Sequence, residues 1–302
     1  LASGRTIRAT AKHRLFGLDG WRTVADLHAG ERLAVAREIP EPAAPLEWPE
    51  RRLALLGQLI GDGSFLSGQP MRYTTASEEN SRAVAEAAIE EFGARVKRYA
   101  GRGKWHQLLI SGNGNRWAPA GVNRWLRDLG IFGQRSHEKR IPAAVFRLSN
   151  AQIAQLLRHL WATDGSIGVR RETSHGGHRV YFSTSSRGLA SDVAALLLRI
   201  GIVARTHRVD ETPHRPCYCV EVSGCSAQRR FIDTVGGFGP RSDPARHLAD
   251  ALAGMRSNTN VDTVPREVFA RVRTAMLEQG ITQREMTRLR GTSYGGSSHF
   301  RF

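Results

Sequence analysis

The chain carries one pattern twice, an apolar run of helical length that ends in an Asp-Gly-Ser triplet. The first copy reads LLGQLIGDGSF (55–65), and the second reads LLRHLWATDGSI (156–167). Asp62 and Asp164 stand at equivalent positions of the two runs. Self-similarity within a chain predicts one structural unit built more than once, with neighbouring copies burying their apolar faces against each other. The fold should therefore have a pseudo-twofold axis.

The match between the copies continues beyond these runs. The segment from Tyr73, YTTASEENSRAVAEAAIEEFGARV, aligns with YFSTSSRGLASDVAALLLRIGIVA from Tyr181. Two more segments follow in the same order, LLISGN with VEVSGC (108–113 and 220–225) and NRWLRDLGIFG with RRFIDTVGGFG (123–133 and 229–239). Helical spacing and strand alternation make each copy a helix, two strands, a helix, two strands and a helix. We predict an α+β fold, a pseudo-twofold pair of αββαββα repeats.

Other segments flank this pair. RTIRAT and ERLAVARE predict short strands around the turn GLDGW, and the four prolines of REIPEPAAPLEWPE predict a stiff connector. Thr282 and Glu285 have the spacing of a capping box, which fits either half of a helix-turn-helix or a plain helical hairpin. The predicted organisation is a β-rich segment (1–37), a linker (38–50), the first repeat (51–148), the second repeat (149–261) and a helical subdomain (262–302).

Charge narrows the class of partner. Lys and Arg number 44 against 28 Asp and Glu, which gives a formal charge of +16 and a pI near 11.0. Such a field attracts polyanions, so nucleic acid is the first candidate, and the alternative is a solvated basic surface without a partner. No apolar run is long enough to span a bilayer, and the start lacks the apolar core of a signal peptide. We expect a cytoplasmic protein with no membrane partner.

The three cysteines, Cys217, Cys219 and Cys225, argue against a secreted disulfide framework. Together with His214 they suggest a zinc site, but their spacing is not Cys-x-x-Cys. The alternation within HRPCYCVEVSGC favours ordinary cysteines on a half-buried strand.

Two acids at the ends of packed helices point to metal chemistry. A single Asp-Gly at a helix end is usually a turn residue. Two carboxylates brought together repel one another and have raised pKa values unless a cation lies between them. Mg²⁺, held by one or two carboxylates and by substrate phosphate oxygens, resolves that conflict. Beside the basic surface this predicts a phosphodiester substrate and metal-activated water as the nucleophile.

The two runs, their spacing and the repeated strands resemble the paired LAGLIDADG motifs of homing endonucleases over residues 50–260. The resemblance implies that the two motif helices form the interface between the halves and that the strands form two saddle-shaped sheets in the DNA major groove. It also implies that Asp62 and Asp164 bind Mg²⁺, with the backbone of Gly61 and Thr163 as further ligands. The expected partner is double-stranded DNA, bound by a single chain with pseudo-twofold symmetry.

The second run departs from the family pattern at the helix interface. In the first run, Gly57 and Gly61 lie one helical turn apart and allow close approach of two backbones. His159 and Thr163 occupy the equivalent positions of the second run. We therefore expect asymmetric packing of the two helices.

Lys139 is the candidate catalytic lysine. SHEKRIPAAVF (136–146) resembles the segment between the two motifs of intein-borne endonucleases, in which a lysine before Ile-Pro takes part in catalysis. The alternative is a solvated charge before a proline turn. After the second repeat, GPRSDPARHL supplies Arg241 and Arg246 but no lysine, so we expect the two DNA strands to be cut by chemically unequal sites.

Residues 9–37 indicate a host context. ATAKHRLFGLDGWRTVADLHAGERLAVAR resembles the splicing (Hint) segment of inteins, in which a Thr-x-x-His, here Thr10 and His13, polarises the upstream splice junction. The overall likeness, which includes TSYGGSSHF (292–300), points to inteins of actinobacterial replicative DNA helicases, so host protein should flank this region in a bacterial precursor. Leu1 and Phe302 stand where complete inteins have a nucleophile and a His-Asn ending, so we expect part of a splicing domain with a whole nuclease inserted.

The sequence thus predicts a site-specific endonuclease that makes Mg²⁺-dependent double-strand cuts at an intein-free allele. Two alternatives stay open. One is a DNA-binding protein or regulator with a LAGLIDADG domain and no catalytic activity. The other is a splicing element whose nuclease is inactive, with Thr10 and His13 as its functional residues.

Overall fold

A short hairpin is the first regular structure in the computed structural model, which describes residues 1–170, 177–210, 215–255, 264–289 and 291. β1 (Arg14–Gly17) pairs antiparallel with β2 (Gly20–Thr23). The strand predicted over RTIRAT is wrong, because its one large apolar side chain, Ile7, stays exposed and the segment lies outside every strand. ERLAVARE contributes only an isolated bridge, at Leu33.

The two repeats contain the same seven elements in the same order. The first repeat consists of α1 (Glu50–Asp62), β3 (Gly63–Ser64), β4 (Met71–Thr75), α2 (Glu78–Phe92), β5 (Arg95–Ala100), β6 (His106–Ser111) and α3 (Gly121–Asp128). The second consists of α4 (Asn150–Asp164), β7 (Gly165–Gly168), β8 (Arg179–Thr184), α5 (Arg187–Arg199), β9 (Arg205–Val209), β10 (Cys217–Glu221) and α6 (Cys225–Thr234). The predicted α+β class and the paired αββαββα order are confirmed.

The two four-stranded sheets have the same antiparallel topology. Their strand orders are β3-β4-β6-β5 and β7-β8-β10-β9. Gly63 pairs with Tyr73, whereas Gly165 pairs with Phe182. The predicted alignment of Tyr73 with Tyr181 is therefore wrong by one residue. Tyr73 and Phe182 are both fully buried, and a slip of one position would turn the whole buried face of the strand outwards.

Side-chain caps begin three of the helices around the core. Ser77, Ser149 and Ser186 each accept a hydrogen bond from a backbone N–H in the first turn of α2, α4 and α5. Helices α1 and α4 pack against each other in the middle of the core. Their fully buried side chains include Leu53, Leu55, Leu56, Leu59, Leu156, Leu157, Leu160 and Trp161. Apolar burial on this scale stabilises the pair of repeats as one body.

The proline-rich connector lies against the junction between the two repeats. The backbone N–H of Leu46 donates to the carbonyl oxygen of Arg147 (2.8 Å). The side chain of Gln152 accepts from the backbone of Trp48 (3.2 Å) and donates to it (2.8 Å). These bonds tie the entry to α1 to the first turn of α4.

The chain divides into two compact units, residues 1–256 and 257–302. The first ends with α7 (Ser242–Ala253), and the second contains α8 (Val268–Glu278) and α9 (Gln283–Leu289). The Thr282 hydroxyl accepts from the backbone N–H of Glu285 (3.2 Å), as in a capping box. The segment TSYGGSSHF lies outside the described residues. Within the described ranges, no helix has the length and apolar character needed to cross a bilayer.

Candidate functional site

Helices α1 and α4 pack so closely that two glycines of α1 have no room for a side chain. A Cβ atom at Gly57 would lie 2.8 Å from the carbonyl oxygen of Leu156 and 2.9 Å from the backbone nitrogen of Leu160. At Gly61 it would overlap the side chain of Thr163. These contacts advance in the same direction along both helices, so the two C-terminal ends meet.

The small residues of this interface lie on α1, and α4 presents larger ones. His159 packs opposite Gly57, and its ring lies 4.3 Å from that of Phe238. Gln58 Nε2 is 3.5 Å from Nδ1 of His159, and Gln58 Oε1 accepts a bond of 2.5 Å from the Tyr73 hydroxyl. Burial lowers the pKa of His159 to about 4, and a neighbouring arginine acts in the same direction. The imidazole is therefore neutral and takes part in packing.

Asp62 and Asp164 are the last residues of α1 and α4. Burial raises the pKa of Asp62 to about 6, and the charge of Asp164 contributes in the same direction, while Lys139 and Arg241 oppose the rise. Burial also raises the pKa of Asp164, although one side of this residue is open to solvent. The structure thus brings two partly desolvated carboxylates within electrostatic reach of each other.

Lys139 caps the end of α1. The residue is 8% exposed, and its Nζ donates to the carbonyl oxygens of Gly61 (2.6 Å) and Gly63 (2.9 Å). The dipole of a helix favours a cation at this end. Burial lowers the pKa of Lys139 to about 8, while the charges of Asp164 and Asp62 favour the ammonium form. A buried, hydrogen-bonded cation, and not a solvated one, lies beside the two acids.

Arg241 makes the equivalent contacts at the end of α4. Its Nε donates to the carbonyl oxygen of Gly165 (2.7 Å) and its Nη2 to that of Thr163 (3.4 Å). These carbonyl groups correspond by repeat to the two that Lys139 binds. Arg246, the other arginine predicted for this place, is exposed and forms an ion pair with Asp243 of its own helix. It is therefore not the cation beside the acids. A guanidinium in one half-site thus replaces an ammonium in the other.

Two cavities flank the acids. The smaller has a volume of about 290 Å³, and its polar lining includes Lys139, Asp164, Ser183, Thr184, Ser185 and Arg215. The larger has a volume of about 730 Å³, and its polar lining includes Asp62, Thr74, Thr75, Glu78, Glu79, Asn80 and Arg241. Each cavity therefore joins the acid of one repeat to the cation that follows the other repeat. Sequence reasoning missed the strand-to-helix turns at 74–77 and 183–186, whose signal is their Ser and Thr content before a helix.

Thr10 and His13 lie together in a turn directly before β1. The backbone N–H of His13 donates to the carbonyl oxygen of Thr10 (3.0 Å), and both residues are exposed. Neither residue lines the two cavities beside the acids. Thr10 and His13 therefore lie outside both cavities beside the carboxylates.

The cysteines do not form a metal centre in the described part of the chain. Cys217 and Cys219 lie in β10, Cys225 begins α6, and all three thiols are free. No group of three or more His, Cys, Asp or Glu side chains within the described ranges is arranged to hold a metal ion. His214, the fourth residue of the zinc alternative, lies outside them.

The paired acids fit a divalent cation that is bound together with phosphate. Their partial burial and raised pKa values are the electrostatic conflict that such a cation removes. The carbonyl groups of Gly61 and Thr163 already accept hydrogen bonds from Lys139 and Arg241, so the carboxylates are the stronger candidate ligands. Two carboxylates suffice for Mg²⁺, which usually keeps water and substrate phosphate oxygens as its other ligands.

Comparisons with known proteins give a family match in the second repeat. The family model of the LAGLIDADG-like domain matches residues 151–236. This region is therefore similar to LAGLIDADG-like domains. Over 305 residues, 99% of this chain is 40% identical to the replicative DNA helicase DnaB of Rhodothermus marinus, of which it covers 32%. Protein RecA of Mycobacterium tuberculosis is 27% identical over 98% of this chain, which covers 38% of that protein. The chain thus spans about a third of the length of these relatives.

Solved structures show looser similarity. The homing endonuclease I-DmoI in complex with DNA and Mn has a TM-score of 0.38 and 15% identity, over 62% of this chain and 96% of that chain. The N-terminal LAGLIDADG domain of DUF199/WhiA has a TM-score of 0.41 and 12% identity, over 64% of this chain and 87% of that chain.

Proposed function

We propose that this chain is a site-specific DNA endonuclease of the LAGLIDADG homing type that cuts double-stranded DNA with Mg²⁺. The observation that carries the proposal is the meeting of Asp62 and Asp164 at the ends of α1 and α4, with one hydrogen-bonded cation at each helix end. The formal charge of +16 supports a polyanionic substrate. Because one chain supplies both acids, we propose function as a monomer.

The chemistry follows from the positions of these side chains. Asp62 and Asp164 would hold Mg²⁺, which supplies a water nucleophile and stabilises the leaving oxygen of an in-line displacement. Lys139 and Arg241 are already fixed by helix carbonyl groups, so they present positive charge to a phosphate with little reorganisation. Since an arginine stays charged and Lys139 has a pKa of about 8, the two half-sites are chemically unequal.

A plasmid assay tests this function. Purified protein is incubated with Mg²⁺ and a supercoiled plasmid that carries the presumed intein-free insertion site, and linear product is expected. Asp62→Asn and Asp164→Asn should each reduce the rate by at least roughly a hundredfold, which is typical for loss of one group that stabilises developing charge. Asp128→Asn, an exposed acid at the end of α3, is the control and should cut like the parent. Equal cutting by the parent and the Asp62→Asn variant would refute the proposed site.

We further propose that this nuclease lies within an intein of a replicative DNA helicase. Nearly the whole chain aligns with about a third of DnaB and also with about a third of RecA, and such matches to differently named proteins support a mobile insert. Thr10 and His13 would then belong to the splicing segment, where a hydroxyl and an imidazole polarise a scissile amide. Restoring the flanking sequences should produce ligated host segments, and Thr10→Ala with His13→Ala should stop this ligation without changing DNA cutting.

A second candidate is DNA binding without cutting. The described part of the unit 257–302, which contains α8, α9 and the Thr282 cap, favours it because paired short helices are a common DNA-binding arrangement. Both candidates predict a steep loss of affinity with salt, but only the nuclease predicts product. A gel-shift titration beside the plasmid assay separates them, since binding with no product in Mg²⁺ identifies the regulator. Splicing by a restored precursor without DNA cutting would identify the remaining alternative, a splicing element with an inactive nuclease.

A further inference from the structure

Lys139 occupies a segment that has no regular structure of its own. Residues 129–142 connect α3 to the short 3₁₀ turn at Ala143–Arg147. A lysine has high conformational entropy, and an irregular backbone adds more. Nevertheless, Nζ of Lys139 makes two hydrogen bonds to the end of α1. Local turn bonds, such as the one from the backbone N–H of Lys139 to the carbonyl oxygen of Arg135 (3.1 Å), shape the segment, and contacts with other parts of the molecule hold it in place.

Two buried residues of the second repeat fix the backbone of this segment by hydrogen bonds. The Ser186 hydroxyl donates to the carbonyl oxygen of Lys139 (2.8 Å). The Asp192 carboxylate accepts from Nε (2.7 Å) and Nη2 (2.8 Å) of Arg140 and from the backbone N–H of Ile141 (3.0 Å). Ser186 is 1% exposed and Asp192 is 7% exposed. The chain is thus fixed at Lys139 itself and at the two residues that follow it.

We propose that Ser186 and Asp192 are positioning residues that set the place of the Lys139 ammonium at the end of α1. Ser186 caps α5, and Asp192 lies in the second turn of that helix. The turn before α5 lines the cavity that contains Asp164 and Lys139. Helix α5 therefore links the wall of this cavity to the cation within it. The catalytic consequence rests on the proposed function, whereas the positioning itself does not.

Among the residues that the structure describes, the first repeat shows no equivalent arrangement. The sheet register makes Ser77 the counterpart of Ser186, and Ala83 the counterpart of Asp192. The Ser77 hydroxyl donates to Glu79 (2.9 Å) and does not bind the backbone near Arg241. Arg241 instead ends a 3₁₀ turn, Gly239–Arg241, that leads directly into α7. Regular structure on both sides thus fixes the backbone of Arg241, whereas the backbone at Lys139 is fixed by Ser186 and Asp192.

Lysine labelling tests the positioning without any need for DNA. The chain has four lysines, and Lys12, Lys97 and Lys104 are exposed, so they serve as internal standards for Lys139. Limited reaction with acetic anhydride, followed by mass spectrometry, should show Lys139 as the least modified. In Asp192→Asn and Ser186→Ala, labelling of Lys139 relative to the other three should rise, by roughly tenfold for the charged residue.

A matched control separates positioning from general loosening. Glu91→Gln removes a partly buried ion pair between Glu91 and Arg52 (2.9 Å) that has no contact with the segment of Lys139. It should leave the labelling ratio unchanged. If Lys139 stays protected in both Ser186→Ala and Asp192→Asn, or if all four lysines become more reactive together, the proposal is overturned. Ser186→Ala removes only one hydroxyl, so it keeps the test decisive if Asp192→Asn does not fold.

The cleavage assay then supplies the catalytic readout. Under single-turnover conditions with saturating protein, both variants should cut more slowly, while DNA affinity measured without divalent cations stays within about twofold of the parent. Loss of affinity with an unchanged cutting rate would contradict positioning. If the parent itself does not cut, the proposed function fails, yet the labelling result still decides the role of Ser186 and Asp192.

Discussion

Replacing Asp62 by Asn should stabilise the fold at neutral pH. Burial, with the charge of Asp164, raises the pKa of Asp62 from 3.8 to about 6. Between these pH values the folded chain holds a proton that the unfolded chain has released. The free energy of unfolding therefore falls as the pH rises through this window, and the ionised acid destabilises the fold fully above it. Asn has nearly the same shape and carries no charge, so it removes this cost.

The magnitude follows from the same pKa values. A rise from 3.8 to about 6 corresponds to about 3 kcal/mol if it is fully expressed. Because solvent reaches part of Asp62 and screens its charge, we expect a gain of about 1 to 2 kcal/mol at pH 7.5. At pH 4.5 most of the folded chain is already protonated at this position, so the gain should shrink to about a third.

Urea denaturation at pH 7.5 and pH 4.5, without divalent cations, measures this effect through the fluorescence of the tryptophans, which include the buried Trp161. Asp128→Asn is the matched control, because Asp128 also ends a helix but its side chain is 61% exposed. It should change stability by less than about 0.5 kcal/mol at either pH. If Asp62→Asn is no more stable than the parent at pH 7.5, or if its gain is undiminished at pH 4.5, the reasoning is wrong.

Three more predictions concern the cation, the metal and the helix interface. Lys139→Met should slow single-turnover cutting by about a hundredfold, whereas Lys12→Met should cut like the parent, because only Lys139 lies beside the acids. Mg²⁺ should raise the melting temperature of the parent but not of a variant with Asn at both Asp62 and Asp164, and an equal rise in both would place the metal elsewhere. Gly57→Ala should destabilise the fold by about 1 to 2 kcal/mol in urea, since its Cβ would meet the backbone of α4. Gly254→Ala, which meets nothing within 4 Å, should be neutral or slightly stabilising, and similar effects at both glycines would contradict the close packing of α1 and α4.

The order of helices and strands could be predicted because local sequence patterns within each repeat specify it. An apolar run that ends in Asp-Gly-Ser, followed by alternating and helical segments, determines a helix and its strands without long-range information. The register of the second sheet could not be predicted in this way. Tyr181 and Phe182 are adjacent aromatic residues, and the choice between them depends on which one is buried against the helices.

The candidate site was predictable only in part, for a related reason. Asp62 and Asp164 could be predicted because the motif that contains them occurs twice. Lys139 could be predicted because its segment resembles one in a known family. The contacts of Arg241 with Gly165 join residues far apart in the sequence, and no local pattern encodes them. The ion pair between Asp192 and Arg140 likewise joins residues far apart in the sequence. Such contacts become visible only once the repeats are packed.

Both cavities are formed by residues from both repeats, and this constrains how the repeats can be exchanged or can evolve. Each cavity takes its acid from one repeat and its cation from the segment after the other. A chimera that exchanges one repeat for that of a relative would therefore combine unmatched partners in both cavities at once. A substitution at the acid of one repeat therefore selects for a compensating substitution near the cation of the other. The two repeats are expected to evolve together, even though their sequences now differ at most positions.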